Sequence, residues 1–191
     1  MGILILSGSR NREGKTARAI EAICRGIQAA GGQSEVVFLP ELKLERCRQC
    51  HLDGQGPCVQ EGACVIPDDF EIVASKVRDA DVLVVANPVY FGELTESLRA
   101  FLDRFRRTVF APPGLAPKAV SLAVKGKPAV GLCYAGFRGG FAVTCAVSLE
   151  RALQTCGLDV VDLILARRQN LEVKLPMLEL TGRWLVTQPT S

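Results

Sequence analysis

Four cysteines, Cys47, Cys50, Cys58 and Cys64, crowd into one polar stretch with the spacing C-x2-C-x7-C-x5-C. The opening C-x-x-C step can wrap one metal atom or one edge of a cluster. Four thiolates suit zinc and a cubane iron–sulfur cluster equally, because spacing constrains geometry without fixing the metal. The alternative reading is bare reduced thiols, or a disulfide, in a surface loop. His51, the only histidine, stands beside Cys50. A ligand role is open to it, but a solvent-facing loop residue is the simpler expectation.

A second group able to do chemistry lies near the start, where Ile3-Leu4-Ile5-Leu6-Ser7 runs into Gly8-Ser9-Arg10-Asn11-Arg12-Glu13-Gly14-Lys15-Thr16. A buried strand feeding a loop of hydroxyls, glycine and cations into a helix start is a phosphate site. Unpaired N–H groups and the helix dipole favour an anion there, and Ser9 and Thr16 add hydroxyl donors. The nucleotide-hydrolase loop G-x-x-x-x-G-K-[ST] matches at Gly14-Lys15-Thr16, but its first glycine would fall on Ser9. The best second strand, Val82–Ala86, leads into Asn87-Pro88 and offers no magnesium-binding aspartate. The hydrolase reading therefore fails twice.

The elements that must position these residues alternate strand and amphipathic helix. Strands are expected at 3–7, 35–39, 82–86, 129–133 and 160–165. Helices are expected from about 16 to 30, from Asp68, over a stripe of Leu94, Leu98, Phe101, Leu102 and Phe105, and from about 140 to 156. This order predicts an α/β fold, a doubly wound five-stranded parallel sheet with helices on both faces. Strands one and three are apolar at nearly every position, whereas strands two and five carry Glu35 and Asp162. The second pair therefore belongs at the edges, which the flavodoxin-like order 2-1-3-4-5 satisfies. In such sheets ligands bind beyond the carboxyl ends of the strands at the switch point, so the loops after Ser7, Ala86 and Cys133 should meet.

The second of these loops, Asn87-Pro88-Val89-Tyr90-Phe91-Gly92-Glu93, brings aromatic surface. The third, Tyr134-Ala135-Gly136-Phe137-Arg138-Gly139-Gly140, brings backbone that can approach a flat ligand. Together with the phosphate loop they suit a phosphorylated, planar, aromatic cofactor. Either later loop alone is a plain turn; their coincidence at three strand ends carries the reading.

Composition limits the alternatives. At 191 residues the chain is long enough for one sizeable core, and its net charge of +3, spread along the sequence, gives no reason to invoke nucleic acid. The apolar runs are strand-sized, so no membrane span is expected. The chain enters its first strand without a basic leader, which makes a cytoplasmic address the expectation. Of the eight cysteines, Cys24, Cys133, Cys145 and Cys156 fall in strand or helix patterns and read as small core residues. Arg104, Arg106 and Arg107 read as a solvated helix face or a subunit contact.

The Gly8–Thr16 loop, Pro88-Val89-Tyr90-Phe91-Gly92, Phe101-Leu102-Asp103-Arg104 and the Gly136–Gly140 loop together resemble the NADPH-dependent FMN reductase and iron–sulfur flavoprotein group over roughly residues 1–165. The family's G-S-P-R-x-x-G-N-T loop has Arg10-Asn11 in place of Pro-Arg here, and Lys15 in place of Asn. The resemblance implies noncovalent FMN, with Ser9, Arg10, Asn11, Gly14, Lys15 and Thr16 about the phosphate. Pro88, Val89, Tyr90, Phe91, Gly92, Ala135, Gly136 and Gly139 would surround the ring. It implies hydride supply by NAD(P)H and onward transfer to a quinone-like or other small acceptor, or to a redox protein, with no protein acid or base required.

The family's iron–sulfur members carry a compact cysteine set in this same loop. Cys47, Cys50 and Cys64 align with it, Asp53 stands at its third cysteine, and Cys58 is the substitute. A [4Fe–4S] cluster is thereby implied ahead of zinc. The expected organisation is a flavin domain over 1–166, with the cysteine loop at 40–67, and a C-terminal extension over 167–191 packing on the core or on another subunit of a homodimer or homotetramer. Trp184 is expected to cover the core. A flavodoxin-type electron carrier without substrate turnover and a zinc-stapled, flavin-free interaction domain are the rival readings.

Overall fold

A computed structural model describes residues 1–51, 56–110 and 118–187; Asp53 lies outside them. Five strands, β1 (Gly2–Ser7), β2 (Gln33–Phe38), β3 (Val82–Pro88), β4 (Pro128–Ala135) and β5 (Asp159–Arg167), pair in parallel in the order β2-β1-β3-β4-β5. This is the flavodoxin-like topology expected from the placement of polar residues. All of β3 is buried, whereas β2 has no buried residue, as an edge strand tolerates.

The alternation of side chains along each strand divides the interior in two. Leu4 and Leu6 of β1 face one core with Phe70, Phe101, Phe105 and Leu149. Ile3 and Ile5 face the other, with Ile23, Ile27, Leu178 and Leu185. The first core is covered by α3 (Phe70–Asp79), α4 (Glu96–Val109) and α6 (Ala142–Thr155). The second is covered by α1 (Lys15–Ala29) and α7 (Leu171–Thr187). Two single-turn helices, α2 (Pro57–Gln60) and α5 (Ala119–Leu122), lie in the connections.

The helix α7 lies along α1 through two glycines. A Cβ on Gly26 would overlap the carbonyl oxygen of Glu179, and one on Gly182 would overlap that of Ile23. The helices thus touch backbone to backbone, which no larger residue permits at either position. Trp184 is a correction to the sequence reading, since it is 36% exposed and the buried contacts of α7 come from Leu171, Leu178 and Leu185.

Three strands run further than expected, to Pro88, to Ala135 and to Arg167. Pro88 is tolerated because a side chain supplies the local bonding. Asn87 Nδ2 donates to the carbonyls of Pro88 and Glu93 at 2.9 and 3.3 Å, and Asn87 Oδ1 accepts from the Thr95 N–H at 2.9 Å. The helix α3 begins at Phe70, because Asp68 and Asp69 turn their carboxylates back onto the entry of the cysteine loop. Asp69 accepts from the Lys43 N–H at 2.7 Å and Asp68 from the Glu45 N–H at 2.8 Å.

Candidate functional site

The register levels the strand ends, with Ser7 opposite Ala86 and Pro88 opposite Tyr134, so the three expected loops leave the sheet together. Between them opens a cleft of about 560 Å³. Its walls include Ser9, Asn11, Gly14, Lys15 and Thr16 from the first loop, Pro88, Val89, Tyr90 and Phe91 from the second, and Ala135 and Gly136 from the third. Arg10, Gly92 and Gly139 do not line it. Arg10 borders a neighbouring groove 3.9 Å from Glu96, Gly92 is buried in its turn, and Gly139 backs onto Gln169.

The first loop is shaped by its own side chains. Ser9 Oγ accepts from the Asn11 N–H at 3.2 Å and Asn11 Oδ1 from the Glu13 N–H at 2.9 Å, which curls the backbone into a concave turn. Gly14 then caps α1 in extended geometry, with no side-chain cap and no acidic residue in the first turn. The first-turn N–H groups and the positive helix end are thereby left for an anion, with Lys15 beside them. Gly8 is required by close approach, since a Cβ there would strike Thr95 Oγ1.

The other two loops are tied to each other by the Val89 N–H, which donates to the Tyr134 carbonyl at 2.8 Å. Five further cleft residues stand outside the expected ligand contacts: Tyr134, Phe137, Arg138, Gly140 and Phe141. Burial pushes the Tyr134 phenol up, against the opposing pull of Arg168 and Arg18, so it stays a donor at neutral pH. Phe91, Phe137 and Phe141 share a property that no sequence pattern signals. All three have left-handed backbone (φ 52°, 40° and 62°) and all three are largely exposed. Such strain in bulky residues persists only where the surroundings impose it, and it gathers at ligand sites.

All four loop cysteines line a second, smaller cavity, with Ile66, Arg104 and Arg107 among its other walls. All four are free thiols. The cavity measures about 20 Å³, roughly one water-sized sphere. Among the described residues no three His, Cys, Asp or Glu side chains converge on a single-ion site.

Arg104 corrects the sequence reading of a solvated face. Its side chain is 1% exposed, and its guanidinium bonds both oxygens of the fully buried Asp68 at 2.7 and 2.8 Å. It also donates to the Glu45 carbonyl at 3.0 Å and to Cys64 Sγ at 3.3 Å, and it stacks on Phe70. Spacing alone could not reveal this residue, because its partners come from 36 and 40 positions away.

Fold and cleft define a flavodoxin-like protein with an open cleft at the sheet's switch point. Residues 1–160 match the family model described as NADPH-dependent FMN reductase, and the chain belongs to that family. It is similar to an iron-sulfur flavoprotein of Methanocaldococcus jannaschii, 31% identical over 106 residues, which are 56% of this chain and 52% of that protein. An iron-sulfur flavoprotein of Methanosarcina thermophila is 27% identical over 161 residues, 84% of this chain and 77% of the relative. The chain thus spans only about half the length of the first of these relatives. Among solved structures, the NAD(P)H:quinone oxidoreductase from Methanothermobacter marburgensis superposes with a TM-score of 0.73 at 21% identity, covering 98% of each chain, a likeness of fold. Among the described residues no helix is long and apolar enough to cross a membrane.

Proposed function

We propose that the chain holds FMN in the three-loop cleft and works as an NAD(P)H-dependent oxidoreductase delivering electrons to a small, quinone-like acceptor. The observation that carries this reading is the composition of the cleft. An uncapped helix start with Lys15 lies at one end, and apolar and bare-backbone walls from Val89, Phe91, Ala135 and Gly136 lie at the other. The residues fit the group. Ser9, Lys15, Thr16 and the first-turn N–H groups would hold a phosphate, and Val89 to Phe91 with Gly136 would flank a flat ring. Bound there, FMN supplies the two-electron chemistry between nicotinamide and acceptor. The protein's own share is orientation, exclusion of water by the exposed phenylalanines at the rim, and hydrogen bonding from the protonated Tyr134.

A second element of the proposal is a [4Fe–4S] cluster on Cys47, Cys50, Cys58 and Cys64. Its support is that four soft donors, all free thiols, line one small cavity. The buried Arg104 beside Cys64 would offset the negative charge of ligated thiolates. Receiving a cluster in so small a cavity requires Cys47 and Cys50 to move outward.

The test is a visible spectrum and metal analysis of protein purified without oxygen, followed by turnover with NADPH or NADH and a benzoquinone. Flavin bands bleached by the nicotinamide and restored by the quinone support the oxidoreductase. Protein that is colourless and does not take up added FMN overturns it. Iron and acid-labile sulfide lost together in Cys47→Ser support the cluster, and stoichiometric zinc in their place rejects it.

A further inference from the structure

Cys133 on β4 and Cys145 on α6 were read as separate core residues, yet their sulfurs lie 3.4 Å apart and neither is more than 1% exposed. Their surroundings are polar at one point only. Asn87, which staples the 88–95 loop beside the cleft, donates its Nδ2 to Cys145 Sγ at 3.2 Å. Cys145 Sγ in turn donates to the Glu93 carbonyl at 3.5 Å. The pair therefore sits directly beneath the aromatic loop of the cleft, in contact with the residue that holds that loop in place.

We propose that Cys133 and Cys145 form a redox pair that a hydroperoxide converts into a disulfide and that a dithiol, itself oxidised to its disulfide, returns to two thiols. Cys145 is the nucleophile because it accepts two hydrogen bonds, from the Cys133 thiol and from the Asn87 amide, and together these outweigh its own bond to the Glu93 carbonyl, which is given up when the thiol ionises. The bond from Cys133, then, against burial, that from Asn87, hold Cys145 below the ordinary thiol range; the same contact, then burial, push Cys133 up. In the first step the Cys145 thiolate attacks one peroxide oxygen. The O–O bond breaks, the departing hydroxide takes a proton to leave as water, and Cys145 becomes a sulfenic acid. In the second step Cys133 sulfur attacks Cys145 sulfur, the S–O bond breaks, and the Cys133 proton leaves with the hydroxyl as a second water. One hydrogen peroxide and two thiols give one disulfide and two waters. The separation must close from 3.4 Å to about 2.05 Å. The oxidant has to reach the sulfur past the Tyr90–Glu93 turn, whose Glu93 carbonyl lies 3.5 Å from Cys145 Sγ.

The experiment is made on the whole wild-type protein, treated with hydrogen peroxide, alkylated after unfolding and digested with trypsin, which cuts between the two cysteines at Arg138. The expected result is a Cys133 peptide joined to a Cys145 peptide, two hydrogens lighter than their sum and separated by dithiothreitol. Cys156, buried with its thiol pushed up to about 12 and with no such partner, should be recovered alkylated. Recovery of Cys133 and Cys145 both alkylated, or oxygenated separately without a link, overturns the proposal. In Cys133→Ala the sulfenic acid has no resolving thiol, so dimedone should label Cys145; no label there overturns the assigned nucleophile. The readout is on the polypeptide with or without flavin, so its failure is distinct from failure of the flavin reading.

Discussion

The Arg104 guanidinium meets the Asp68 carboxylate through two parallel bonds with both side chains out of water, and this pair fastens the exit of the cysteine loop to α4. Removing one partner of a buried pair strands the other charge, which typically costs about 3–5 kcal/mol. Arg104→Leu and Asp68→Ala should each lose stability on that scale in urea unfolding. The double replacement Arg104→Met with Asp68→Leu should recover a good part of it, since no charge is then left unpaired. Losses below about 1 kcal/mol in the single variants would show that water reaches the pair.

The same pair sets an acid limit. Desolvation pushes the Asp68 carboxyl up, but the bonds from Arg104 and from the Glu45 and Phe70 N–H groups outweigh it and hold the group below the usual carboxylate range. A carboxylate with a depressed folded value binds fewer protons folded than unfolded near its ordinary value of about 3.9. Its contribution is therefore complete above that pH and disappears as pH falls through the lower folded value. Asp68→Asn should give a shallower decline of stability below about pH 4 than the parent, read from urea midpoints across pH. Parallel curves would remove Asp68 from the acid transition.

The contact between α1 and α7 makes a sharper mutational prediction. Gly26→Ala and Gly182→Ala each drive a methyl into a backbone carbonyl, which no rotamer change can relieve. Overpacking of this kind typically costs about 1–3 kcal/mol or more. Gly2→Ala, whose Cβ would meet nothing within 4 Å, should be close to neutral. Thermal midpoints of the three variants decide the matter, and a neutral Gly26→Ala would mean that the helices do not touch there.

Much of this was readable in the sequence because it rests on local pattern. The apolar runs of β1 and β3, the polar marks on β2 and β5, and the Phe70, Val73, Ala74 and Val77 stripe on α3 each follow from periodicity, and the strand order followed from which strands could bear water. What escaped depends on partners far apart in the chain. Arg104 reads as solvated until Asp68 is brought to it. Asn87 reads as the end of a strand until its amide is seen bridging Pro88, Glu93 and Cys145. Cys133 and Cys145 read as filler until β4 and α6 pack. The left-handed phenylalanines run against the conformational preference of the residue type, so no propensity argument finds them.

Within the first loop, Thr16 and Arg10 separate two accounts of phosphate binding. Thr16 lines the cleft and is 3% exposed, whereas Arg10 lines the neighbouring groove beside Glu96. Thr16→Glu puts a carboxylate where the proposed phosphate would sit, and FMN affinity should fall at least tenfold, about 1.4 kcal/mol. Arg10→Ala should leave affinity nearly unchanged, because solvent screens so exposed a charge. Fluorescence titration of the stripped protein with FMN measures both, and the reverse ranking would move the phosphate toward Arg10.

Phe91 offers the last test, because its ring contributes nothing visible to the fold. It is fully exposed while its backbone occupies a left-handed conformation at φ 52°. For a non-glycine residue that conformation costs about 1–2 kcal/mol, and glycine adopts it freely at the expense of about 0.5–1 kcal/mol in unfolded-chain entropy. Phe91→Gly should therefore be neutral or up to about 1 kcal/mol more stable in urea unfolding. If the ring is held out to cover a planar ligand, the same variant should bind FMN more weakly and release it faster. Stability gained together with affinity lost is the signature of strain kept for a ligand. A variant that loses stability instead would show that the ring packs against the protein, and the left-handed turn at Phe91 would then owe nothing to a ligand.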